Sequence, residues 1–376
     1  MEVFPTTQLE LPPSDPQAPS RSRTFGLVVL SYSVFYLAII LGGGAHLVGG
    51  DWGDNAAYLK PAAAIRHWQF AGVEVYQFWG VSYATAGLSL VTGLPLSAAL
   101  VVLCVGASLV AVAICHRLWG GWVATFAALL SLDWFQRSLL GGSESLFMAL
   151  VLTAFLALRH EKWAWAAISG ALATVVRPYG LFALIALGLQ LLWRKKFREC
   201  ACATAIALFI GAAYMWPLGH YLGNPFANVN QYHRDDWQGG FPFTLPFVTI
   251  LHDAFSPRIP LTNHALTAFW ILIVLSALVM AISNGDLRRY AGSYPGEAFF
   301  FCLYSLALFT YSSREWARAE FPRFALPILP WALFLLYRYL PKRQWVVRTL
   351  AVITPMLAAA SAFGIRNVAA ALARQL

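Results

Sequence analysis

Charge is what this 376-residue chain has least of: 26 Lys and Arg with 17 Asp and Glu make up 11% of it, against about 25% in an ordinary soluble domain. With 59% hydrophobic residues and a mean hydropathy of +0.62, a water-soluble globule is excluded. Cysteine is also scarce. The five, Cys104, Cys115, Cys200, Cys202 and Cys302, fall in apolar runs or beside basic residues, with no CxxC pair, which excludes a disulfide framework or a thiolate zinc site and leaves Cys200 and Cys202 as packing residues. Segments alternating in polarity with period two are missing, so a membrane β-barrel is excluded. No internal repeat is visible, which counts against a transporter built from two related halves.

What is present is a series of apolar runs of roughly 20 residues, the length a bilayer-crossing helix needs. They predict an all-α polytopic membrane protein with about eleven transmembrane helices, near residues 25–43, 95–114, 120–136, 143–158, 163–177, 179–193, 200–218, 264–282, 297–311, 324–338 and 348–364. Residues 1–24, rich in Pro, Ser and Gln, read as a disordered cytosolic tail, and 25–376 as a single transmembrane domain. Arg21 and Arg23 before the first run favour an uncleaved signal anchor with a cytosolic N-terminus, cleavage near Ala45 being the alternative.

From that start, 15 of the 26 basic residues fall on the inner side, among them Arg159, Lys195, Lys196 and Arg348, as the positive-inside rule requires. Ten of the 17 acids fall on the other side. The formal net charge of +9 is then largely a topology signal, and nucleic acid is not expected as a partner.

Two long outer segments, 44–94 and 219–263, lie over the same expected face. In the first, the short apolar stretch 78–91 suits an interfacial helix. The same segment holds Asp51 and Asp54, with Tyr58 four residues after Asp54 and so on the same face of a short helix. Either carboxylate can act as a general base or simply cap that helix. The second segment contains His233, Asp235 and Asp236, suited to contacts with a polar substrate. Ser143 and Glu144 open an apolar run, Ser143 as a cap and Glu144 as a dipole partner or a group reaching a cavity. Arg177 closes another run at the same face, where a guanidinium needs a counter-charge, a phosphate or a lipid headgroup. Arg314, Arg318 and Arg323 cluster before a further run and suit bidentate contacts to a lipid phosphate.

Taken in order, Asp54-Asn55-Ala56-Ala57-Tyr58-Leu59, Ser143-Glu144-Ser145-Leu146-Phe147, Thr174 to Leu181 around Arg177, and Pro322-Arg323-Phe324 resemble the GT-C superfamily of membrane glycosyltransferases. The nearest likeness is to the GPI mannosyltransferase II (PIG-V) family and its prokaryotic relatives. The resemblance, over about residues 25–340, implies a GT-C-like helical bundle and an inverting glycosyltransferase, in the nearest case a mannosyltransferase. It implies a polyprenyl- or dolichyl-phosphate sugar as donor and an acceptor hydroxyl on the extracytoplasmic face. It also implies that Asp54 deprotonates the acceptor while Arg177, Arg323 or the Arg314–Arg318 pair neutralises the phosphate. The family's first-loop acid usually follows a Trp directly; here Trp52 follows Asp51, and Gly53 separates it from Asp54, so both aspartates remain candidates. Without the large soluble C-terminal domain of oligosaccharyltransferase relatives, a lipid or glycan acceptor is expected rather than a protein.

A transporter or flippase, and a non-catalytic membrane subunit, are the competing readings; acids and arginines confined to one face favour an enzyme. No cofactor is expected, although Asp51 with Asp54, or Asp235 and Asp236 with His233, could hold a divalent ion. Short inner loops favour a bacterial inner membrane over the endoplasmic reticulum.

Overall fold

The computed structural model describes residues 18–50, 52–70, 72–73, 77–235, 242–254, 261–283, 286–312 and 320–373. The first helix, α1 (Arg21–Leu41), begins where Ser20 accepts a hydrogen bond from the Arg23 amide at 3.3 Å. The first long segment folds into α2 (Asn55–His67) and α3 (Gly80–Thr92), and the next apolar run into α4 (Leu96–Trp119). The single span expected over 120–136 is instead two nine-residue helices, α5 (Gly121–Leu129) and α6 (Leu132–Leu140). They part at Ser131, whose hydroxyl accepts from the Trp134 amide at 3.2 Å and starts α6 afresh.

After α6 the chain bends by 104° into α7 (Glu144–Arg159), followed by α8 (Trp163–Val176), α9 (Leu181–Trp193) and α10 (Phe197–Leu222). The second long segment contributes α11 (Ala227–Asp235) and α12 (Val248–Ala254). The remainder forms α13 (Leu261–Ser283), α14 (Asp286–Ser293), α15 (Pro295–Thr310), α16 (Phe321–Ala325), α17 (Leu329–Leu335) and α18 (Gln344–Ala373). Among the described residues there is no strand, only an isolated bridge between Phe243 and Tyr311.

Four helices, α1, α4, α10 and the first part of α18, are long and apolar enough to cross a bilayer, and six spans result if the bent pairs α6–α7 and α13–α14 each count once. Length and composition thus account for four to six of the eleven expected spans. Beyond those six, the others form α8, α9 and α15, of 13 to 16 residues, the α5–α6 break, or the α16–α17 stretch broken by Pro322, Pro327 and Pro330. At 1.5 Å per residue these helices are roughly 20–24 Å long, short of a hydrocarbon core of about 30 Å.

Helix α7 is central, packing on α4 and α8, while α8 leans on α10, α9 on α15 and α1 on α18. Close aromatic packing fills the middle: Phe155 meets Phe300 at 5.1 Å, and Phe301 stacks on Trp331 at 4.7 Å. Within a bilayer such contacts, not water exclusion, hold helices together. At the C-terminal end of α7, Arg159 clasps Glu297 of α15 through Nε at 2.6 Å and Nη2 at 2.9 Å, and donates from Nη1 to the Leu118 carbonyl at 2.7 Å. This pair is nearly fully buried and satisfied, and it pins α4, α7 and α15 together at the end opposite Glu144. The two long segments also meet, since Asn228 of α11 donates to the Gln77 carbonyl at 2.5 Å and accepts from Tyr214 at 2.8 Å.

Candidate active site

The site is built on the break between α6 and α7. Gly141 adopts φ +106°, which only glycine takes easily, and a Cβ on Gly142 would crowd Glu144 Oε2 at 2.7 Å and the Arg137 carbonyl at 3.0 Å. Breaking a helix at membrane depth frees carbonyls that must find donors. The Leu140 carbonyl accepts from Asn55 Nδ2 at 2.7 Å and from the Gly49 amide at 3.1 Å, and the Gly142 carbonyl faces Cys104 Sγ at 3.1 Å. The start of α2 is thereby fastened to the α6–α7 turn, which brings Asp54 to Glu144.

Two further local constraints aim the arginines. Pro178 forces Arg177 out of the helical region, to φ −148° and ψ 137°, which ends α8 and turns the side chain inward. The chain then closes tightly on itself: a Cβ on Gly180 would lie 2.2 Å from the Thr174 amide nitrogen. Arg323 sits on the single turn α16, started by Pro322 in the first turn, where a missing N–H costs nothing.

These elements converge on six charged side chains. Arg323 is the hub: Nη2 donates to Asp54 Oδ2 at 2.5 Å, Nη1 to Glu320 Oε2 at 2.6 Å, and Nε to Glu144 Oε1. Arg177 Nη1 reaches the same Glu144 oxygen at 3.1 Å. Arg137, on α6, lies 3.6 Å from Asp54 Oδ2 and 3.4 Å from Glu320 Oε1. The guanidiniums also lie on aromatic faces, Arg137 over Trp52 at 4.4 Å and Arg177 over Phe324 at 4.8 Å. Gly53, at φ +53°, leaves room for Arg137, whose Nη1 would be 3.0 Å from a Cβ there.

Three guanidiniums thus face three carboxylates, with side-chain exposures of 9% for Arg137, Arg177 and Arg323, 1% for Glu144, 26% for Asp54 and 30% for Glu320. Burial pushes the Asp54 carboxyl up, but Arg323 and then Arg137 more than offset this and hold it well below the usual carboxylate range. Glu320 is likewise lowered, burial being outweighed by Arg323 and Arg137. Tyr58, fully buried one turn along α2, has its phenol pushed upward by burial and then by Asp54 and Glu144, so it stays neutral. Glu144 Oε2, Arg137 Nε and Trp52 Nε1 are buried without a hydrogen-bond partner, an arrangement seldom left unsatisfied in a resting core.

Of the expected site residues, Asp54, Tyr58, Glu144, Arg177 and Arg323 come together here. Asp54 stands at the N-cap of α2 and Ser143 at that of α7, yet neither side chain makes a capping bond: Asp54 is turned to Arg323, and the Ser143 hydroxyl caps nothing although the residue is buried beside Glu144. The capping role expected of Ser143 is therefore not found, the turn being held instead by Asn55 and the glycines. Asp51, Asp236, Arg314 and Arg318 lie outside the described residues, as do the side chains of His233 and Asp235 on α11. Among the described residues no group of three His, Cys, Asp or Glu side chains could hold a metal ion.

Arg137 and Glu320 are the additions. Arg137 falls just past the run expected over 120–136, four residues before Gly141-Gly142, and among Asp133, Gln136 and Ser138 nothing in the sequence sets it apart from the other outer basic residues. Glu320, three residues before Arg323, was visible only as one of several outer acids.

Neither a curated protein nor a solved structure matches the chain. The sequence profile of glycosyltransferase family 87 matches residues 83–313, more than half of its length. The match takes in Arg137, Glu144 and Arg177, while Asp54, Glu320 and Arg323 join the cluster from outside it. The chain belongs to glycosyltransferase family 87, and it is a membrane glycosyltransferase of many apolar helices.

Proposed function

We propose that the protein is an inverting, GT-C-type transferase that moves a sugar from a polyprenyl-phosphate donor to a hydroxyl of a lipid or glycan acceptor, at the extracytoplasmic face of a bacterial inner membrane. The observation that carries the reading is the buried set of three arginines around Asp54, Glu144 and Glu320. Its forked, desolvated donors suit a phosphate leaving group better than a neutral one. Mannose as the sugar rests on the motif resemblance alone, through Ser143–Phe147 and Thr174–Leu181.

In this mechanism Asp54 takes the proton of the acceptor hydroxyl. The acceptor oxygen attacks the anomeric carbon from the side opposite the phosphate, and the carbon–oxygen bond to phosphate breaks with its electron pair. Polyprenyl phosphate leaves with its new charge facing the guanidiniums, and the proton on Asp54 passes to water. Both contacts of Asp54 use Oδ2, which leaves Oδ1 for the acceptor. Arginines that hold Asp54 ionised in the free protein would shift toward the donor phosphate, and Asp54 becomes more basic as they do. Glu144 Oε2 is available to a sugar hydroxyl. The eleven-helix crossing pattern and an interfacial position for α3 belong to the same proposal, the short helices tilting little or thinning the bilayer.

Among the described residues the buried ion pairs form two clusters at opposite ends of α7, not a line joining them, which supports an enzyme over a transporter. The test is transfer by purified protein from a panel of radiolabelled polyprenyl-phosphate sugars, with nucleotide sugars as comparison and membrane-lipid extract as acceptor. Labelled product from a lipid-phosphate donor is expected; product from nucleotide sugars only would contradict the reading.

A further inference from the structure

Glu320 holds its two arginines in an unusual way for an ordinary ion pair. One carboxylate oxygen takes Arg323 Nη1 at 2.6 Å and the other faces Arg137 Nη2 at 3.4 Å. The carboxylate therefore bridges two guanidiniums with two oxygens, as the two non-bridging oxygens of a phosphodiester would. The other acids are held differently. Asp54 presents a single oxygen to Arg137 and Arg323, and Glu144, 1% exposed, is fixed by both Arg177 and Arg323.

Charge balance points the same way. Among the described ion pairs of this cluster the three carboxylates already match the three arginines, and a donor phosphate arriving among them would add a further negative charge in a desolvated site. One carboxylate has to leave. Glu320 is 30% exposed against 1% for Glu144 and, unlike Asp54, has no part in the transfer itself; it stands just before α16, so that its side chain can swing out while Arg323 stays on its turn.

We propose that Glu320 is a stand-in for the donor phosphate: in the donor-free protein it bridges Arg137 and Arg323, and the phosphate of a polyprenyl-phosphate ligand displaces it onto the same two guanidiniums. Glu320 thereby keeps the arginines extended and parted before the donor arrives, and sets the donor's affinity by competing with it. The inference rests on the donor reading above.

The experiment is a calorimetric titration of polyprenyl phosphate into the full-length protein in phosphatidylcholine nanodiscs, wild type against Glu320→Gln, with polyprenol as the uncharged control. Removing the competing charge should tighten polyprenyl phosphate binding roughly tenfold and leave polyprenol unchanged. Glu320→Asp, which keeps the charge but withdraws it by one methylene, should also tighten binding, by less, and serves if the Gln variant does not fold. A purely structural ion pair predicts the opposite, weaker binding as the arginines lose their support. Equal or weaker binding by these variants, with the wild type still binding, overturns the stand-in and leaves the donor reading intact. No binding of polyprenyl phosphate by any folded form overturns both.

Discussion

Arg323 Nη2 and Asp54 Oδ2 lie 2.5 Å apart although 269 residues separate them in the chain. The contact joins the first long segment to the single turn α16 ahead of α17, and Glu144 and Arg177 close it from the middle of the sequence. Arg323 touches all three acids at once, so a compact point charge cannot replace it. Arg323→Lys should keep the fold and lower kcat/KM for the lipid donor by roughly 10²-fold, whereas Arg323→Ala should also cost about 3–5 kcal/mol by leaving Glu144 buried against one partner fewer. Transfer assays paired with thermal melts separate the two effects.

The pH dependence follows from the direction of the Asp54 shift. Its folded value lies below the unfolded one, so ionised Asp54 contributes stability fully present above about pH 4 and lost as pH falls through the folded value. The kcat/KM of the free protein should therefore stay flat on the acid side down to about pH 5. Arg137→Met removes one of the two cations responsible, and its acid limb should move to higher pH.

Gly180→Ala tests whether the tight return after Arg177 sets the geometry of the site. The added Cβ would meet the Thr174 amide nitrogen at 2.2 Å, and backbone cannot give way cheaply. A loss of about 1–3 kcal/mol is expected, with a fall in kcat for any fraction that folds.

At the other end of α7, Glu297→Gln leaves Arg159 without its bidentate partner and Tyr290 without the carboxylate it donates to. This variant should lose roughly 3–5 kcal/mol of stability, seen as a lower Tm, while the KM for donor in the folded fraction stays as in wild type.

Much of this was legible in the residues themselves. Scarce charge announces the membrane, the Asp54–Tyr58 spacing announces a helix start, and Glu144 and Arg177 are marked as charges at the two ends of a helical hairpin, where they do meet. What local reading missed depends on distant parts of the chain. Arg137 becomes a site residue only because the α6–α7 turn and Gly53 bring it beside Trp52 and Asp54, and Glu320 only because α16 delivers it with Arg323. Ser143 matches the pattern of a cap yet makes no capping bond, and the turn is tied down instead at the end of α6, where Asn55 of α2 donates to the Leu140 carbonyl 85 residues away. The expected spans over 120–136 and 324–338 fail as single helices because Ser131 and the prolines restart the backbone inside them.

The most direct measurement is single-turnover transfer by Asp54→Asn, with polyprenyl phosphate binding measured on the same preparation. If Asp54 is the base, the folded variant should still bind the lipid phosphate while transfer falls by roughly 10²–10⁴-fold. Transfer at the wild-type rate in a variant that binds normally would contradict the account and move the base elsewhere.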